Sequence, residues 1–157
     1  MTRYSPLALV FVTLGIAACG GDDDGGGGPS KTEFARNADQ ICRDTEKQLE
    51  GIGEGVDSPE ELAAALDKAV DKTRKAADDL AGLERPSGDD GQTAQEFTEG
   101  FKSELEDQIV PAIEDLQAAV RKKDVQAVQE AATKLRNLET SKSDQAAREL
   151  GAKACVG

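Results

Sequence analysis

The side chains that could do covalent chemistry are few and widely spaced. The chain has three cysteines, Cys19, Cys42 and Cys155, and no histidine among 157 residues. A thiol can be acylated, oxidised to a disulfide or ionised as a nucleophile, and its surroundings decide which. Without imidazole there is no general base tuned near neutral pH, no Ser-His pair and no Glu-x-x-His ligand set of a di-iron bundle. Pairs such as Glu104 with Gln108 and Glu99 with Ser103 fall where a solvated surface is expected. Glu106, Asp107, Glu114 and Asp115 form an acidic stretch, read as a solvent-facing run with a cation site as the alternative. Asp22-Asp23-Asp24 lacks the alternating ligands and closing Glu of a calcium loop. No catalytic, cofactor-binding or metal-ligating constellation emerges, and the expectation is that the chain is not an enzyme and takes no cofactor.

The environment of Cys19 is the most informative. Arg3 and the amino terminus form a short positive start, and Ser5 to Ala18 follows without a charge, around the apolar run Leu7-Ala8-Leu9-Val10-Phe11-Val12. That run falls short of the roughly 20 apolar residues that span a bilayer, but it suits the hydrophobic part of a secretory signal. Ile16-Ala17-Ala18-Cys19 resembles the lipobox of bacterial lipoproteins, an aliphatic residue and two small ones before cysteine. The resemblance implies that Cys19 receives a thioether-linked diacylglycerol and becomes the first residue of the exported chain. Two acyl chains hold stably where one binds marginally, at about 0.8 kcal/mol per buried methylene. An ordinary signal cut after Ala18, with Cys19 incidental, is the alternative. The expected organisation is a signal peptide over 1–18, a lipidated Cys19 with a flexible tether over 19–29, and a helical domain over 30–157. The expected location is the outer face of the cell membrane.

Composition narrows the partners. The leader holds one Arg and no acid, so residues 19–157 carry 18 Lys plus Arg against 31 Asp plus Glu, a net charge of -13. Such a surface repels nucleic-acid phosphates and anionic headgroups. Past the leader the aromatic residues are Phe34, Phe97 and Phe101, too few for stacking platforms. The expected partners are therefore the membrane, through the lipid on Cys19, and an envelope protein, with no nucleic acid. Once Cys19 is assigned to lipid, Cys42 and Cys155 remain as a pair in a compartment that permits oxidation, the alternative being two buried free thiols.

The elements that must position these residues are helical. Gly20 to Pro29 holds six glycines and three aspartates and reads as a solvated tether, roughly 17 Å in root-mean-square span. Ser30-Lys31-Thr32-Glu33 is a capping box, and Phe34, Ala38, Ile41, Cys42 and Leu49 follow at helical spacing to about Glu50. Ser58-Pro59-Glu60-Glu61 starts a second helix with the stripe Leu62, Ala65, Leu66, Ala69, Val70, Ala76, Ala77 and Leu80, ended by Gly82 and Pro86. Ser87 to Gly91 reads as a loop, and Thr93-Ala94-Gln95-Glu96 as a third capping box. The third helix carries Phe97, Phe101, Leu105, Ile109, Ile113, Leu116 and Val120, with a kink expected at Pro111. Arg121-Lys122-Lys123 sits where a helix C-terminus favours cations, and Asp124 can cap a fourth helix from Val125 to Leu150, polar enough from Glu139 to Asp144 to fray. The expectation is an all-α fold, an antiparallel four-helix up-down bundle. In it, a tail running back from Gly151 would reach Cys42 and clasp the first helix, and the alanine-rich seams favour close helix approach over a roomy cavity.

Phe34-Ala35-Arg36-Asn37-Ala38-Asp39-Gln40-Ile41-Cys42 and Glu149-Leu150-Gly151-Ala152-Lys153-Ala154-Cys155 together resemble a group of small helical lipoproteins from actinobacteria. In that group an early and a late cysteine frame a bundle of similar length. The resemblance implies location, fold and cysteine pairing and carries no activity. The expected function is a non-enzymatic, envelope-anchored helical domain with a structural or protein-contact role. A small-ligand or cation-binding module is the alternative.

Overall fold

The computed structural model describes residues 28–52, 54–138 and 141–156. The leader, Cys19, Asp22-Asp23-Asp24 and the tether as far as residue 27 lie outside the described residues. Among the described residues there is no strand, and the chain forms five helices. These are α1 (Lys31–Leu49), α2 (Pro59–Ala81), a long helix made of α3 (Gly88–Glu104), a π turn (Leu105–Ile109) and α4 (Val110–Lys122), then α5 (Val125–Arg136) and α6 (Ser141–Leu150). A short 3-10 turn, Lys153–Cys155, closes the chain.

Local chemistry sets most of the starts. The Glu33 amide donates to Ser30 Oγ at 3.3 Å while the Ser30 amide donates to the Glu33 carboxylate at 3.0 Å. Ser58 and Glu61 repeat this at the start of α2, at 3.2 and 3.0 Å. Both glutamates are held below the usual carboxylate range, chiefly by a backbone amide that their ionised form accepts from, Ser30 for Glu33 and Asp57 for Glu61. Asp124 caps α5, accepting from the Ala127 amide at 3.0 Å.

The third start differs from its expectation. Thr93 does not cap a helix, and the stretch from Ser87 to Gly91 is not a loop. Ser87 is the N-cap residue, and Asp89 and Asp90 occupy the first turn of α3, where the helix dipole favours carboxylates. Thr93 instead donates its hydroxyl to the Asp89 carbonyl at 3.1 Å, inside the helix. Two glycines make this entry possible: Gly88 adopts φ +65°, and a Cβ on Gly91 would collide with the Pro86 carbonyl.

Two further irregularities shape the fold. Pro111 lacks an amide and its ring crowds the carbonyl four residues earlier. Just before it the helix widens, and the Val110 amide donates to the Leu105 carbonyl, five residues back. The disturbance expected at Pro111 thus takes the form of a π turn. The expected fourth helix is divided: α5 ends at an Asn137 cap and α6 starts at Ser141.

Partner residues run in opposite directions along paired helices. Passing down α2 from Asp78 to Arg74 to Asp67, the partners climb from Lys102 to Glu106 to Gln117. From Lys134 in α5 to Ser143 in α6 they descend from Asp115 to Glu104, so both short helices run back along the same long one. Phe34, Ala38, Leu80, Ala94, Phe97, Ala147, Leu150 and Ala152 form the larger core, and Val70, Ala77, Leu105 and Val110 a second one further along. Ala38, Ala94, Ala112, Ala147 and Ala152 are fully buried, so small side chains stand at many of the closest approaches.

Candidate functional site

The cysteine pair is built by α1 and the chain end. Gly151, at φ +87°, turns the backbone out of α6, and Ala152 plugs into the core. The 3-10 turn then lies against α1, with the Ala154 amide donating to Asp39 Oδ1 at 2.8 Å. Cys42 and Cys155 are joined as a disulfide with their Cα atoms 5.3 Å apart, closing 113 residues of sequence. Both cysteines are half-buried and pack on the larger core. The arrangement is a clasp: it holds chemistry in a spent, oxidised form and ties the tail to the helix that follows the tether.

A second polar centre was hidden in the sequence. Glu104, expected at a solvated position, is buried, and its carboxylate faces the first turn of α6. It accepts from the Lys142 and Ser143 amides, both at 3.3 Å, and closely from the Ser143 hydroxyl. An acid from one helix thereby caps another, and its charge meets the positive end of the α6 dipole. The signal was present: Glu104 lies seven residues after Phe97 and three after Phe101, on the apolar face. Replacing Glu104 by Ala strands those donors and is expected to cost about 2–3 kcal/mol. Hydrogen exchange checks this, with protection lost at the Lys142 and Ser143 amides while α4 and α5 keep theirs.

Gln117 is another polar residue within an apolar stripe, four after Ile113 and three before Val120. Buried between α2 and α4, its amide donates to the Ala63 carbonyl at 3.2 Å and to Asp67 at 2.7 Å. Of the acidic stretch, Glu106 and Asp115 turn to different helices, while Glu114 lies near enough to Arg74 to act on its charge. Glu106 takes both donors of a bidentate Arg74 at 3.0 and 3.1 Å, Asp115 pairs with Lys134 at 2.9 Å, and Asp107 accepts from Ser103 at 2.8 Å. The Arg74 hydrogen bonds hold Glu106 below the ordinary carboxylate range and raise Arg74 above its own. Among the described residues no three His, Cys, Asp or Glu side chains are placed to hold a metal ion. Glu99 accepts from Gln95 at 2.7 Å on the exposed face of α3.

The surface carries open grooves. One of about 490 Å³ runs between α3 and α6 over Gly100 and Ala146, edged by Glu96, Glu99, Glu149 and Lys142. Another, about 270 Å³ and apolar, lies beside the disulfide between Leu49, Thr73, Phe101 and Val156. A third of about 410 Å³ sits at the far end, where the α1–α2 loop meets the α4–α5 turn, lined by Val56, Pro59, Leu62, Val120, Val125 and Val128 and bordered by Asp57 and Lys123. Val125 is 71% exposed, the one large hydrophobic among the described residues left so open to water. No helix among the described residues is long and apolar enough to cross a membrane. Compared with family models, curated proteins and solved structures, the chain finds no match.

Proposed function

We propose that this chain is a cell-envelope lipoprotein, held at the outer face of the membrane by acyl chains on Cys19, whose helical domain acts by protein contact and performs no catalysis. The observation that carries the reading is the sequence Ile16-Ala17-Ala18-Cys19 at the end of an uncharged apolar leader, with Gly20 to Pro29 as a tether behind it. The disulfide adds support, because such bonds persist in oxidising compartments. The lack of histidine and the pairing of the acids along the long helix favour contact over chemistry. The grooves favour it too, since each is open along a helix seam, and a small-ligand site normally encloses most of its ligand. We read the helices as an antiparallel bundle of four arms, the fourth made of α5 and α6 in line. Its first arm leaves the tether and its long third arm carries the chain away from it.

A detergent phase-separation experiment tests the anchor. The wild-type protein is expected in the detergent phase, and Cys19→Ser, left unprocessed or secreted without lipid, in a different fraction. Normal processing and unchanged detergent partition of Cys19→Ser would overturn the reading.

A further inference from the structure

Three observations meet at the end of the bundle remote from Ser30. The first is the apolar groove around Val125, Leu62 and Val128, in which Val125 is the one large hydrophobic among the described residues left open to water. The second is charge. Asp57 and Lys123 border this groove, and neither makes an ion pair among the described residues, while the rest of the chain is strongly acidic. The third is backbone. Lys123 holds φ +57°, the one non-glycine residue among those described with positive φ, at the C-cap of α4. Glycine is the ordinary occupant of such a left-handed helix end, and a lysine there is disfavoured. A locally unfavourable residue beside an exposed apolar patch invites a functional explanation.

We propose that this end is a self-association surface and that its occupant is a second copy of the same chain, packed patch to patch about a two-fold axis. An isologous contact requires a surface that complements itself. A patch edged by one free acid and one free base does so, because the axis sets Lys123 of each copy against Asp57 of the other. Elsewhere, the excess of carboxylates opposes approach of a like chain. Nine residues line the groove, well short of the roughly 20–30 a side of a stable solution dimer, so the free domains associate weakly. The proposal rests on the contact reading above. The long helix from Gly88 to Lys122 holds the patch about 50 Å of helix from the Lys31–Asp90 ion pair, where the chain emerges from its tether. The contact is thus displayed well clear of the headgroups.

The test uses the chain from residue 19 onward with Cys19→Ser and its disulfide formed, so that lipid plays no part. Sedimentation equilibrium up to millimolar concentration reads association, and thermal unfolding reads stability. A concentration-dependent dimer is expected, weakened about tenfold by Asp57→Lys or by Lys123→Asp, since symmetry removes two pairs at once, and restored when both are combined. Lys123→Gly is expected to raise the melting temperature, by relieving the left-handed lysine, while weakening the dimer. A chain that stays monomeric at millimolar concentration overturns the proposal, as does a double charge swap no better than either single. So does a patch that is covered only by a different protein. Because these variants carry no lipid, their failure is distinct from failure of the anchoring experiment.

Discussion

Replacing both Cys42 and Cys155 by serine is expected to lower the stability of the domain by about 4–5 kcal/mol, among the largest effects available from any local change. The bridge closes 113 residues of sequence, and the chain-entropy account assigns a loop of about this length roughly 4.7 kcal/mol. For a domain of this size that corresponds to a fall in melting temperature of roughly 10–20 °C. The disulfide acts largely on the unfolded chain, which loses the constraint, but the folded state has a local stake as well. Ala152 is fully buried and the Ala154 amide bonds to Asp39, so an untethered tail can lift away and expose the ends of α1 and α6. Circular dichroism at 222 nm, followed on heating with and without reductant, checks the prediction. A melting temperature unchanged by reduction would show that the core alone holds the tail.

Truncating Phe97 to alanine is expected to cost about 3–5 kcal/mol, the usual range for an aromatic deleted from a packed interior. Phe97 is fully buried in the core that joins α1, α2, α3 and α6, together with Phe34 and Leu80. Six of the ten buried residues of that core are alanines, which cannot swing in to fill the space, so the site collapses poorly. The same change at Phe101 serves as the control. That ring lies 6.4 Å from Phe97, centroid to centroid, but is partly exposed beside the apolar groove, and its loss is expected to cost half as much or less. Denaturant unfolding reads both, as a shift of midpoint at constant slope. Equal costs at the two positions would mean that the core is centred on the groove rather than on α3.

The helices that were legible in the sequence share one property: their signals are local. Ser30 and Glu33, Ser58 and Glu61, and Asp124 with the Ala127 amide lie within one turn of each other, so residue type and spacing suffice. The pairing of Cys42 with Cys155, found in the structure, was anticipated for a different reason, as the remainder if Cys19 carries lipid, with two buried free thiols as the alternative. The third start misled because Thr93 and Glu96 copy the spacing of a cap while lying inside a helix. What moved the start was the clearance between Gly91 and the Pro86 carbonyl, which no capping pattern expresses.

The sequence by itself determined that the described chain is helical, where most helices begin, and that imidazole is absent from it. These follow from 3.6-residue periodicity, from side chains reaching their own backbone, and from composition. Tertiary structure alone decided that Glu104 is buried and caps α6, that Gln117 bridges α2 and α4, and that Glu106 and Asp115 pair with different helices. It also decided that Val125 stands open in a groove that Asp57 and Lys123 border. Each of these depends on which segment is laid over a residue from tens of positions away, and burial is a property of that covering surface rather than of the residue's own neighbours along the chain.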